Sequence, residues 1–179
     1  MNRIATIAAS FAAVLLIGTG AFAQVPADAS NPNEAPAPEQ ANRMPYGEPI
    51  NLENAKKVAA AAQEEAKKRS WNIFCISIVG PSGDLVYFER QDNCQHASVA
   101  ISLHKARTAA RYRNATINYE RLIARGSNFT YLLTLDDIIA SRGGNPIVVG
   151  GKVVGAIGVS GGTGSQDDVL SLAGVAAVK

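Results

Sequence analysis

Two pairs of short, almost wholly apolar runs, each pair joined by a glycine turn, constrain this chain more than anything else in it. Residues 73–79 and 85–89 flank Gly80-Pro81-Ser82-Gly83, and residues 146–149 and 153–159 flank Gly150-Gly151-Lys152. Connections this short force antiparallel pairing within each hairpin. The runs are apolar at successive positions, so both faces of the sheet should be covered, by helices or by a neighbouring subunit.

Helical periodicity fills the intervals between the hairpins. Leu52, Ala55, Ala59, Ala62 and Ala66 recur at helical spacing, Asn51 can cap, Glu53 suits the positive end, and the helix should end near Arg69. Residues 98–115 read as a longer helix, with Ser98 as cap and Val99, Leu103, Ala106 and Ala110 facing the core. A break at Asn114 or Thr116 precedes a further helical stretch to Ala124. Residues 135–140 read as a short helical piece ended by Gly143-Gly144, and residues 166–178 as a last helix with Asp167 and Asp168 in its first turn. This order of elements predicts an α+β domain, a central antiparallel sheet flanked by helices.

The ends of the chain are organised differently. Arg3, the apolar run 7–17 and Ala21-Phe22-Ala23 together predict a signal peptide over residues 1–23, cleaved after Ala23. The protein is therefore expected to be periplasmic or secreted, with no membrane anchor, since no cysteine lies near the cleavage site. Residues 24–49 hold six of the eight prolines without periodicity and predict a flexible tether, leaving residues 50–179 as a single folded domain. In an oxidising compartment Cys75 and Cys94 permit one disulfide; a buried free thiol at Cys75 is the other reading.

Three features could carry chemistry. Six cations (Lys105, Arg107, Arg111, Arg113, Arg121 and Arg125) lie between positions 104 and 125 against one acid, Glu120. His104, Arg107 and Arg111 are three and four apart, so they share a helix face on which guanidinium forks could hold a carboxylate. The competing reading is a solvated face, or salt bridges to Asp136, Asp137 and the carboxylates of the last helix. No aromatic ladder accompanies the cations and the net charge is only +2, so nucleic acid is not an expected partner. Nine of the sixteen glycines fall between positions 143 and 164. Gly155, Ala156 and Gly158 leave room beside the last strand for a ligand or a packed helix. Finally, His96 and His104 fit no multidentate metal spacing, although one axial bond to haem iron needs only one of them.

Several of these pieces, in order, resemble the GlcG/HbpS family of small haem-degrading or haem-binding domains. They are Arg90 and Asp92 after the second strand, Ser98 and Ala100, and Lys105-Ala106-Arg107-Thr108-Ala109. Gly143-Gly144-Asn145-Pro146-Ile147, Gly155-Ala156-Ile157-Gly158-Val159-Ser160-Gly161 and Gln166-Asp167 complete the set. Where the family runs R-M-D-G-A, this chain has Arg90-Gln91-Asp92-Asn93-Cys94, with a thiol the family pattern lacks.

The resemblance implies a profilin/PAS-like fold, homo-oligomers, and haem as cofactor. The expectation is an exported haem-binding protein serving storage, sensing or degradation. Lys105, Arg107 or Arg111 would meet the propionates, and His104, His96 or Thr108 would lie nearest the iron, with His104 and His96 as metal ligands. Gly158 and Ser160 are the remaining candidate ligand-binding positions. The alternative is a module binding a small carboxylate or aromatic acid without haem. No acid, base or nucleophile stands out by spacing, so catalytic turnover is left unassigned.

Overall fold

The computed structural model describes residues 44–178, so the expected signal peptide and most of the expected tether lie outside the described residues. Four strands form one antiparallel sheet: β1 (Cys75–Val79), β2 (Leu85–Arg90), β3 (Gly144–Val149) and β4 (Lys152–Ser160), in spatial order β2-β1-β4-β3. The two expected hairpins supply its halves, and β1 and β4 join them down the centre. Gly150 and Gly151 turn the second hairpin with φ of 56° and 74°, a left-handed pair that side chains beyond Cβ-free glycine rarely adopt.

Helices cover both faces of the central strands. On one side lie α1 (Leu52–Lys68) and α4 (Gly164–Val175); on the other lies α2 (His96–Arg111). Ile76 and Ile78 of β1, with Ile157 and Val159 of β4, point to α1 and α4 and pack with Val58, Phe74 and Leu170. Val79 and Ala156 point the other way, against Ala106, Ala109 and Ala110 of α2. Each buried isoleucine contributes about 1.5–3 kcal/mol relative to exposure. Successive apolar positions in β1 and β4 are thus explained by helices on either side within one chain. β2 is one of the two edge strands and stays half exposed.

Small residues set the spacing between α2 and the sheet. A Cβ added at Gly158 would stand 2.0 Å from the Ser102 carbonyl oxygen and 2.5 Å from the Ala106 nitrogen. Beside it, Ser77 and Ser102 share a buried hydrogen bond of 2.9 Å, and Ser160 donates to Ser98 at 3.0 Å. Gly158→Ala should therefore push α2 off the sheet at a cost of about 1–3 kcal/mol, read as a lower urea midpoint. An unchanged midpoint would show that α2 can shift freely.

Several boundaries differ from expectation. α2 begins at His96 with Gln95 as its N-cap residue, so Ser98 lies inside the helix, its hydroxyl accepting from Ser160 of β4 and from the Gln95 side chain. Residues 135–140 are not helical. The helical turn sits earlier, as a 3-10 segment at Ser127–Thr134 after α3 (Thr116–Ala124). Gly144 opens β3, and α4 starts at Gly164 behind a capping box made by Thr163 and Gln166. The end of the proline-rich stretch is pinned: Val153 donates to the Pro45 carbonyl, and Gly47 and Ile50 donate to Val153 and Val154, at 2.8–2.9 Å. Cys75 and Cys94 form a disulfide, which settles the two readings of that pair.

Candidate functional site

The outer face of α2 is where the expected site residues can be placed. Its exposed stripe carries His104, flanked along the helix by half-buried Arg107 and exposed Arg111. Arg107 Nε donates to the Gly83 carbonyl at 3.1 Å, and Arg111 Nε to the Ser82 carbonyl at 2.7 Å, so the β1–β2 turn is drawn against one side of the helix. Arg111 also pairs with the Asp137 carboxylate on the other side. Thr108, fully buried, donates to the Asp137 carbonyl and accepts from the Ile139 nitrogen at 3.0 Å. The turn and residues 137–139 thus border the stripe, with Arg111 tying them together. The Arg107 terminal nitrogens and the His104 ring have no partner among the described residues.

Lys105 is turned inward. It is 1% exposed, donates to the Asp167 carboxylate at 2.6 Å and to the Val159 carbonyl at 3.1 Å, and so links α2 to β4 and α4. Asp167 also accepts from the Gly162 nitrogen at 3.1 Å. Burial pushes the Asp167 carboxyl above its usual range, while Lys105 and the Gly161 and Gly162 amides pull it down. In α3, by contrast, Glu120 is held below its usual range chiefly by hydrogen bonds from Arg142.

Gly158 and Ser160 do not line an open recess. α2 backbone lies against Gly158, and Ser160 is buried against Ser98. Of the two readings of the small residues in β4, the packed helix is the one realised. His96 lies exposed in the first turn of α2, eight residues before His104, roughly 12 Å along the axis. The two histidines do not form one cluster. Among the described residues no group of three or more His, Cys, Asp or Glu side chains could hold a metal ion.

Beside Arg111 lies a cleft of about 360 Å³ lined by Tyr46, Pro81, Ser82 and Arg111. Tyr46 donates to the Arg111 carbonyl at 2.5 Å, and the Arg113 guanidinium sits 5.0 Å from the centre of its ring. Tyr46 was not singled out from sequence. The signal was present, since it is the sole aromatic residue between positions 24 and 49. Such a side chain in a proline-rich stretch marks a point of attachment.

A family model described as haem degrading protein HbpS-like matches residues 50–176. The chain belongs to the GlcG/HbpS family. Protein GlcG of Escherichia coli K12 is 37% identical to this family member over 111 residues, covering 62% of this chain and 81% of GlcG. The crystal structure of HbpS superposes with a TM-score of 0.68 at 27% identity, over 74% of this chain and 92% of that one. A complex of PduOC with heme, 22% identical over 73% of this chain and 96% of that one, shares the fold with a TM-score of 0.66. The family match spans all four strands and both helical layers, and it includes α2 with its exposed stripe.

Proposed function

We propose that this GlcG/HbpS-family protein binds haem on the outer face of α2. One observation carries the reading: His104 stands exposed there and without a partner among the described residues, one turn from an arginine whose terminal nitrogens are likewise unpaired among them. The donor chemistry suits haem, with an imidazole for iron and a guanidinium fork for a propionate. Haem bound there would supply a redox-active iron. His104 would hold the iron and Arg107 a propionate. Lys105 and Thr108 would act from within, fixing α2 and residues 137–139. His96 is the second candidate ligand.

Export to the periplasm and homo-oligomers belong to the same proposal. The outer face of α2 offers a ligand and a cation on an open helix surface, so a second copy would shield the other face of the porphyrin. Light scattering that returns the mass of one chain, with and without haemin, would remove that part.

Titration with haemin tests the reading. The wild-type protein should give a saturable Soret shift that His104→Ala loses and His96→Ala keeps. Arg107→Ala should weaken binding about tenfold, the low end for a charge-assisted hydrogen bond at a partly exposed site. A wild-type spectrum equal to that of free haemin overturns the proposal, and an unchanged band in His104→Ala removes that residue from the iron.

The cleft beside Arg111 favours a second reading, a small carboxylate or aromatic acid bound without haem. Its volume of about 360 Å³ suits such a molecule. However, Arg111 already has Asp137 as counter-ion, which an incoming acid would have to displace. Thermal stabilisation by organic acids of a protein that ignores haemin would support it.

A further inference from the structure

The segment from α3 through the 3-10 turn projects apolar side chains that the domain does not use. Tyr131, Leu133 and Leu135 are 56%, 64% and 41% exposed, while Leu132 alone in Ser127–Thr134 is buried. Arg121 on α3 and Arg125, the residue that ends it in helical conformation, are four apart and so on one side, exposed and without a partner among the described residues. The neighbouring acid, Glu120, is committed to Arg142. That leaves Asp136 as the exposed carboxylate nearest in sequence, and the corner carries net positive charge.

We propose that this corner is a peripheral contact site for an anionic phospholipid surface, with the apolar side chains entering the headgroup region and the two arginines meeting phosphates. The backbone of the turn is prepared for such a place. Thr130 and Thr134 donate their hydroxyls to the Ser127 and Tyr131 carbonyls, each at 2.7 Å, and Phe129 and Leu135 donate to the Gly126 and Leu132 carbonyls at 3.2 and 3.4 Å. These backbone groups and hydroxyls would keep their partners on losing water. Among the described residues no helix is long and apolar enough to cross a membrane, so the contact would be peripheral. Charge argues against the other ready occupant, a second copy. A two-fold contact sets the patch against itself and brings four arginines together with two aspartates.

The test places a polarity-sensitive fluorophore at Leu133→Cys in the full chain. Cys75 and Cys94 are buried and joined, so the new thiol reacts selectively. The label should shift to the blue on phosphatidylglycerol-containing vesicles and not on pure phosphatidylcholine. A label at Lys56→Cys on α1 should stay unchanged. Arg121→Gln with Arg125→Gln should weaken partitioning roughly thirty-fold, from about a factor of five per cation. Because the readout is at position 133, vesicle binding through other parts of the chain does not imitate it. A label that never shifts overturns the proposal. So does an equal shift on neutral vesicles, which removes the role of charge. A label already shielded without lipid, in a protein of twice the chain mass, assigns the patch to a second copy instead.

Discussion

Lys105→Met should lower folding stability by about 3–5 kcal/mol at neutral pH, because it strands the Asp167 carboxylate in a site 3% exposed. The pair itself adds less than that figure, since burying two charges costs nearly what their attraction returns. The double variant Lys105→Met with Asp167→Leu should therefore recover most of the loss, and urea denaturation of all four proteins gives the coupling directly. Acidity sharpens the test. Burial raises the Asp167 carboxyl above the reference value of 3.8, and Lys105 opposes that rise. Without Lys105 the rise is larger. A carboxyl whose folded-state pKa is raised takes stability away above that pKa, and the loss fades as pH falls through it toward the unfolded value. The deficit of Lys105→Met should accordingly shrink from neutral to acid pH. A deficit that stays flat would mean that Asp167 is not the stranded charge.

This pair shows where sequence stops informing. The hairpins were legible because Pro81, Gly83, Gly150 and Gly151 mark turns locally, and the α1 stripe because Ala55, Ala59, Ala62 and Ala66 repeat at helical spacing. The competing reading of the cations expected salt bridges to Asp136, Asp137 and the last helix; Arg111 and Lys105 make those to Asp137 and Asp167, while Asp136 makes none among the described residues. What could not be read was which cation turns inward. Lys105 and Arg107 are two apart, so they point to opposite sides of α2, and the expected core stripe of Val99, Leu103, Ala106 and Ala110 did not pick out the side of Lys105: Val99 and Leu103 are only half-buried, whereas Ser98, Ser102 and Lys105 are buried. Ser98 misled for a related reason. A serine before an apolar run can cap the helix or serve a distant partner, and here its hydroxyl accepts from Ser160 across the fold as well as from the neighbouring Gln95 side chain. Residues 135–140 lack helical structure because Thr108 claims the Asp137 carbonyl and the Ile139 nitrogen that a helix would use.

Removing the Cys75–Cys94 bridge should cost about 3 kcal/mol, the closure entropy of a loop this long, and lower Tm by the order of 10 °C. The bond joins the first residue of β1 to the loop that leads into α2, across a sequence separation of 19. Beyond the bridge, the buried Ser98 hydroxyl, accepting from Ser160 and Gln95, is the main anchor of that helix start. Gln95 makes no side-chain cap bond to the backbone, and the first turn contains no acid to meet the positive helix end. Arg90 does donate to the Cys94 carbonyl at 3.0 Å, but from an exposed position on the edge strand. Reduction, or Cys94→Ala, should therefore release residues 91–96 first, with amide exchange rising there while β4 and α1 stay protected. His96 would lose its place with that turn, whereas His104, two turns further along α2, would keep its own. Because both sulfurs are buried, dithiothreitol should act slowly on the native protein and faster in mild urea. Should the reduced protein unfold at the same urea concentration as the oxidised one, the bridge would contribute nothing to stability, and packing of α2 on Gly158 with the Ser98 hydrogen bonds would hold the helix in place.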